Sequence, residues 1–192
     1  MEKQYDALTQ AEACEKIMLV CHCVLNPASK VRSFESGERQ EEEMLRLGAA
    51  RALLARGAGL LQLPCPEFTL YGACRWGHVR EQLDNPFFRA HCRRLLAPVL
   101  EQLAEYVAHP ERFHVLGVLG IDGSPSCGVC ETCAGDWGGE PFCAGIQRTL
   151  SPAPKTKGRG VFLEELALLL NERGLKLPFY SLQTLPVGFS EE

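Results

Sequence analysis

Apolar residues fall along this chain in two spacings. Short unbroken runs, Ile17-Met18-Leu19-Val20, Gly59-Leu60-Leu61-Gln62-Leu63 and His114 through Ile121, have the length of strands and the continuous apolar character of strands covered on both faces. Pro178-Phe179-Tyr180-Ser181-Leu182 is a candidate fourth strand. Between the runs, apolar positions recur at helical intervals. Arg39 to Arg56 opens on Glu41, Glu42 and Glu43, keeps Leu47, Ala50 and Leu54 on one face, and is followed by Gly57. Negative charge at the positive helix end, the stripe and the glycine stop agree on a helix whose first turn is solvated. Asn85-Pro86 supplies a cap and a first-turn proline to a longer helix with the stripe Phe88, Cys92, Leu95, Leu96, Val99, Leu103, Tyr106 and Val107, ending at His109-Pro110. Gly160 to Arg173, with Phe162, Leu166, Leu169 and Leu170 inward and Gly174 behind it, is the third helix.

The order β-α-β-α-β-α-β predicts an α/β fold. Three layers are expected: a mainly parallel sheet of about four strands with helices on both faces, Rossmann-like, in a single domain over 1–192 with a polar lead over 1–15. Composition fits this picture, with 46% hydrophobic and 23% charged residues. A net charge of -4 and a pI near 5.8 offer no basic surface, so neither nucleic acid nor an anionic membrane is an expected partner. The beginning of the sequence lacks a signal-like apolar core, and no long uncharged apolar stretch occurs. The expectation is a soluble, cytoplasmic protein acting on a small molecule.

Cysteine changes that picture most. Ten of them, with no signal peptide, indicate metal ligation or redox chemistry in a reducing compartment rather than a disulfide framework. Cys14 and Cys92 sit in helical-looking segments and are given no role. Three of the others follow the apolar runs: Cys23 after the first, Cys65 after the second, and Cys127 in the tight turn Gly123-Ser124-Pro125-Ser126-Cys127-Gly128 after the third. If those runs are neighbouring parallel strands, the three thiols meet in the crevice outside their carboxyl ends. Period-two alternation sets Cys21 and Cys23 on one face and His22 on the other, as a hydrogen-bonded neighbour. Asn26 to Lys30 is turn chemistry over the mouth of the crevice. The irregular segment Phe68 to Leu83, with Tyr71, Gly72, Arg75, Trp76, Gly77 and His78, is a candidate wall.

Thiolates select zinc, copper(I) or iron–sulfur clusters. A structural zinc site closes with four ligands, commonly in Cys-x-x-Cys pairs, and Cys23 and Cys65 have no such partner. Three isolated cysteines leave one coordination position open, which in a four-iron cluster is an iron free to act as a Lewis acid. A rival arrangement lies in the long connection from Asp122 to about Gly158. There Cys127-x-x-Cys130-x-x-Cys133, with Cys143 further on, has the spacing of a closed ferredoxin-type cluster. Cys130, Cys133 and Cys143 are thus possible extra ligands. Trp137 to Glu140 and the basic stretch Lys155 to Arg159 share this connection.

Cys23-Val24-Leu25-Asn26, Cys65-Pro66-Glu67 and Gly123 to Gly128 together resemble the three motifs of the thiouracil desulfidase family. Cys65 to Phe68, Arg75-Trp76-Gly77 and Trp137-Gly138-Gly139-Glu140 are similar to a desulfidase-related branch of it, and the resemblance spans about residues 17–173. It implies a 4Fe-4S cluster held by Cys23, Cys65 and Cys127, release of sulfur as sulfide from a small thiolated compound such as a thiolated nucleobase, Glu67 as acid/base residue, and Ser124 or Ser126 as assisting hydroxyl. The better-known desulfidases read Ala-Cys-Leu-Leu-Gly where this chain has His22-Cys23-Val24-Leu25-Asn26, a departure in the part of the pocket that reads the base. Glu67, two residues from Cys65 on a proline-stiffened turn, is expected to have a carboxyl pKa raised by burial, unless it pairs with Arg75 or Arg80. The other readings are an electron carrier or redox sensor built on the Cys127 to Cys143 loop, and a zinc-stabilised binding module.

Overall fold

The structure, a computed structural model, describes residues 14–31, 37–138 and 153–185. The chain forms β1 (Glu15–Val20), α1 (His22–Leu25), a 3-10 turn (Pro27–Ser29), α2 (Gly37–Ala55), β2 (Ala58–Gln62), α3 (Pro66–Tyr71), α4 (Arg80–Leu83), α5 (Pro86–Ala108), β3 (Phe113–Gly120), β4 (Glu131–Cys133), β5 (Lys155–Lys157), α6 (Val161–Glu172) and β6 (Phe179–Ser181). β1, β2, β3 and β6 make one parallel sheet in the order β2-β1-β3-β6. This is the α/β architecture the apolar runs predict. Strand β1 is interior to the sheet, and its Met18, Leu19 and Val20 have no exposed surface.

From β1 the chain steps outward to β2, then returns past β1 to β3 and on to β6. Right-handed crossovers then put α2 on one face and α5 and α6 on the other. In agreement, α5 and α6 are tied together by Arg89 and Arg93, which donate to Glu165 at 2.6 Å each. Glu165 is only 2% exposed, so the two guanidiniums supply the partners a buried carboxylate requires. The reversal of direction between β1 and β3 makes a topological switch point, where the loops leaving adjacent strands diverge and open a crevice.

The helix starts follow their signals. Asn85 caps α5, its side-chain oxygen accepting from the Phe87 and Phe88 N–H groups at 3.1 and 3.0 Å. Of the stripe on α5, Phe88, Cys92, Leu96, Val99 and Leu103 are buried.

Several local expectations need correction. The buried face of α2 is Arg46, Ala49 and Leu53, one residue out of step with the expected Leu47, Ala50 and Leu54; Leu47 and Leu54 are exposed. A charged residue occupies the core-facing row because the Arg46 guanidinium donates to the Val24 carbonyl at 3.1 Å. Glu42, expected in a solvated turn, instead pairs with Lys30. Strand β1 ends at Val20, so the alternation expected for Cys21, His22 and Cys23 does not apply; His22 opens a single helical turn. Cys14 precedes β1 in irregular backbone, while Cys92 lies in α5 as expected. The segment Phe68 to Leu83 contains most of α3 and all of α4. Within the long connection after β3, β4 and β5 form an antiparallel pair joining Cys133 to Lys155 and Glu131 to Lys157.

Candidate active site

Each strand end presents its cysteine by a different local device. After β1 the backbone turns at Cys21, whose N–H is held by the Leu119 carbonyl at 2.9 Å, and the turn of α1 brings Cys23 out beside the Ser29 hydroxyl at 3.4 Å. After β2, Cys65 is the N-cap of α3, and its sulfur accepts from the Phe68 N–H at 3.4 Å while Pro66 opens the helix. After β3, the Asp122 carboxylate accepts from the N–H groups of Val129, Cys130 and Glu131 and folds the loop back on itself. Gly123, at φ 82°, makes the turn, and the Ser124 hydroxyl accepts from the Cys127 N–H at 3.0 Å.

These loops enclose a pocket of about 490 Å³ at the switch point, and Cys23, Cys65 and Cys127 all line it. Glu67, Ser124, Ser126 and Cys133 line it too, with His22, Arg75, Gly77, His78 and Lys155 completing the walls and Lys30 at one side. A smaller cavity of about 210 Å³, between Lys16, Arg56 and His114 at the opposite end of the strands, contains no thiol.

Electrostatically the thiols are coupled. The neighbouring Cys23 thiol lowers the Cys65 pKa to about 6 against the opposing effect of burial. The same interaction, followed by burial, pushes Cys23 upward. Contact with the Cys21 thiol, then burial, pushes Cys127 well up. Among the described residues no three His, Cys, Asp or Glu side chains converge closely enough to hold one metal ion. A cluster makes a different demand, because each thiolate ligates a different iron and the sulfurs need not meet at a point.

Glu67 is 7% exposed and fully engaged. The Ser126 hydroxyl donates to Oε1 at 2.7 Å and His78 Nδ1 donates to Oε2 at 3.1 Å. Arg75 Nε lies 3.7 Å from Oε2, buried and, among the described residues, without a hydrogen bond of its own, while the guanidinium's other nitrogens hold the Gly72 and Ser29 carbonyls. The expected upward shift is therefore reversed. Burial does push the Glu67 carboxyl up, but the bonds from His78 and Ser126 and the nearby Arg75 charge outweigh it and hold it below its ordinary value. The expected alternative partner Arg80 goes elsewhere, to Asp84 and Glu164.

Of the loop cysteines, Cys133 reaches the pocket and donates to the His78 carbonyl at 3.4 Å, whereas Cys130 is exposed and outside it. Cys143 and Glu140 lie outside the described residues. Cys74 is exposed on the surface. The sequence reading marked His78 only as part of a wall. Nothing in its spacing from Glu67 announces the bond between them, which arises because α3 and the following loop fold back together.

An open α/β sheet with three soft thiols and a buried carboxylate at its switch point defines the class: a small-molecule site on a doubly wound scaffold. Residues 15–151 match the family described as putative 2-thiouracil desulfurase, and the chain belongs to that family. An uncharacterized protein of Methanocaldococcus jannaschii is 32% identical over 115 residues, covering 60% of this chain and 69% of that protein. No solved structure matches the chain. Among the described residues no helix is long and apolar enough to cross a membrane.

Proposed function

We propose that this protein is a 4Fe-4S-dependent desulfidase that exchanges the sulfur of a small thiolated compound, of the thiolated nucleobase class, for oxygen from water and releases sulfide. One observation carries the reading: three thiols from three different strand ends face the same pocket as a buried, multiply bonded carboxylate. Cys23, Cys65 and Cys127 would hold the cluster. The donor set suits it, being all sulfur and soft. When bound, the cluster supplies a soft Lewis-acid position that polarises a thiocarbonyl.

The chain's own residues do the rest. Glu67 is anionic and fixed by Ser126, His78 and Arg75, so it presents a preorganised negative charge beside the substrate space. The proton released by the attacking water enters this group of residues. Ser126, bonded to Glu67, is the assisting hydroxyl; Ser124 spends its oxygen on the Cys127 N–H and shapes the ligand loop. Water's oxygen goes to carbon and its two protons leave with sulfur, so the reaction needs no electron donor. A pocket of about 490 Å³ has the size of a small-molecule site.

Anaerobic reconstitution tests the reading. Iron and acid-labile sulfide should be bound in a near-equal ratio, and sulfide should be released from a panel of thiolated pyrimidines. Zinc alone in the purified and reconstituted protein, or a cluster with no sulfide release, would overturn it.

A further inference from the structure

We infer that His78, through its Nε2 atom, accepts the proton of the attacking water, and that Glu67 acts on the reaction by orienting His78. The inference rests on the proposed desulfidase reading and deepens it by assigning the base.

Its first support is the pattern of bonds around Glu67. Oε1 already accepts from Ser126 and Oε2 from His78, with the Arg75 guanidinium beside Oε2, so both carboxylate oxygens are already engaged by donors. A carboxylate with both oxygens engaged is placed to hold the His78 ring in one orientation. Its second support is the tautomer. An acceptor-only carboxylate at 3.1 Å from Nδ1 makes that nitrogen the one that carries hydrogen, which leaves Nε2 of the neutral ring with a free lone pair. Among the described residues nothing bonds Nε2, and His78 lines the same pocket as the three cysteines.

The ring is also held in place on its other sides. Tyr71 packs against it with centroids 4.6 Å apart, Phe88 stacks on Tyr71, and the His78 carbonyl receives the Cys133 thiol. Carboxylate, imidazole and water would then stand in the relation of orienter, base and nucleophile, a geometry defined by roles and independent of fold. In the step itself Nε2 takes one water proton as the new C–O bond forms. When the C–S bond breaks, that proton and the remaining one leave with sulfur as hydrogen sulfide, and the imidazole returns to its starting state. No oxidant or reductant enters.

The test uses the anaerobically reconstituted full chain with a thiolated pyrimidine that the parent protein desulfurates. His78→Asn keeps a donor close to the Nδ1 position and removes Nε2. It is expected to retain iron content and melting temperature and to lose sulfide release by about 10²-fold or more. His78→Gly is expected to lose as much and to regain part of it on addition of free imidazole. Independently of any cluster, nitrogen NMR of histidine-labelled apoprotein should show His78 as the Nδ1–H tautomer, and Glu67→Gln should disturb that preference. Full sulfide release by His78→Asn, absence of imidazole rescue, loss of iron from the Asn variant, or an Nε2–H tautomer would each overturn the inference while leaving the desulfidase reading standing. A parent protein that binds its cluster and releases no sulfide would remove both.

Discussion

Ser126 and Glu67, 59 positions apart in the chain, are joined by a 2.7 Å hydrogen bond in which the hydroxyl donates to Oε1. The bond ties the loop after β3 to the first turn of α3, and so links the segments that carry Cys127 and Cys65 through side chains. Glu67→Gln should therefore separate chemistry from architecture. Retained iron content with a loss of turnover on the order of 10²-fold or more is the expected result, and Ser126→Ala should lose less. Were the carboxylate there chiefly for stability, breaking its buried pairing would destabilise the fold by about 3–5 kcal/mol, and melting temperature and iron occupancy would fall together.

Replacement of Cys23, Cys65 or Cys127 by alanine is expected to abolish visible absorbance and iron binding, because each sits on a different loop of the pocket. Cys130→Ala should leave both intact, since that side chain is exposed and outside the pocket. Cys133→Ala should also keep the iron. Iron analysis of the variants after anaerobic reconstitution checks the set, and a requirement for Cys130 and Cys133 in place of Cys23 and Cys65 would restore the ferredoxin-type arrangement.

Asp122 carries a pH dependence of defined sign. Burial pushes its carboxyl up, but the N–H groups of Cys130, Val129 and Glu131 prevail and hold it below the ordinary value. A depressed folded-state pKa contributes stability that is complete above the unfolded value, about 3.9, and is lost as pH falls through the lower folded value. Asp122→Ala should lower stability at neutral pH by about 1 kcal/mol, the low end for bonds to a charged group because the side chain is partly solvated. The gap in melting temperature between parent and variant should close as the pH is taken below 4.

The corrected face of α2 yields a simple contrast. Leu53 has no exposed surface and Leu54 is 58% exposed. Leu53→Ala is expected to destabilise by about 2–5 kcal/mol, and Leu54→Ala to stay within about 0.5 kcal/mol. Urea titration of the two variants measures both, and a reversed order would return the expected Leu47, Ala50, Leu54 stripe to the core.

The sequence by itself determined the architecture and the gathering of the thiols. Unbroken apolar runs separated by capped, striped helices admit little besides a parallel sheet with helices over it, and in such a sheet residues just past the strand ends must share one edge. Cys23, Cys65 and Cys127 were legible for that reason. Pattern could not say which leucines of α2 face inward, because Arg46 takes a core-facing place by reaching a carbonyl contributed by α1. Nor could it give the state of Glu67. Proximity to Cys65 and burial both argue for a raised pKa, and only the arrival of Arg75 and His78 from the loop after α3 and of Ser126 from the loop after β3 reverses the sign. Cys21 is a similar case: alternation set it beside Cys23, whereas the end of β1 at Val20 turns it inward against Cys127. Periodicity records which side of an element is apolar, whereas the charge a buried group carries depends on every donor within a few ångströms, and those donors are brought together only by the tertiary fold.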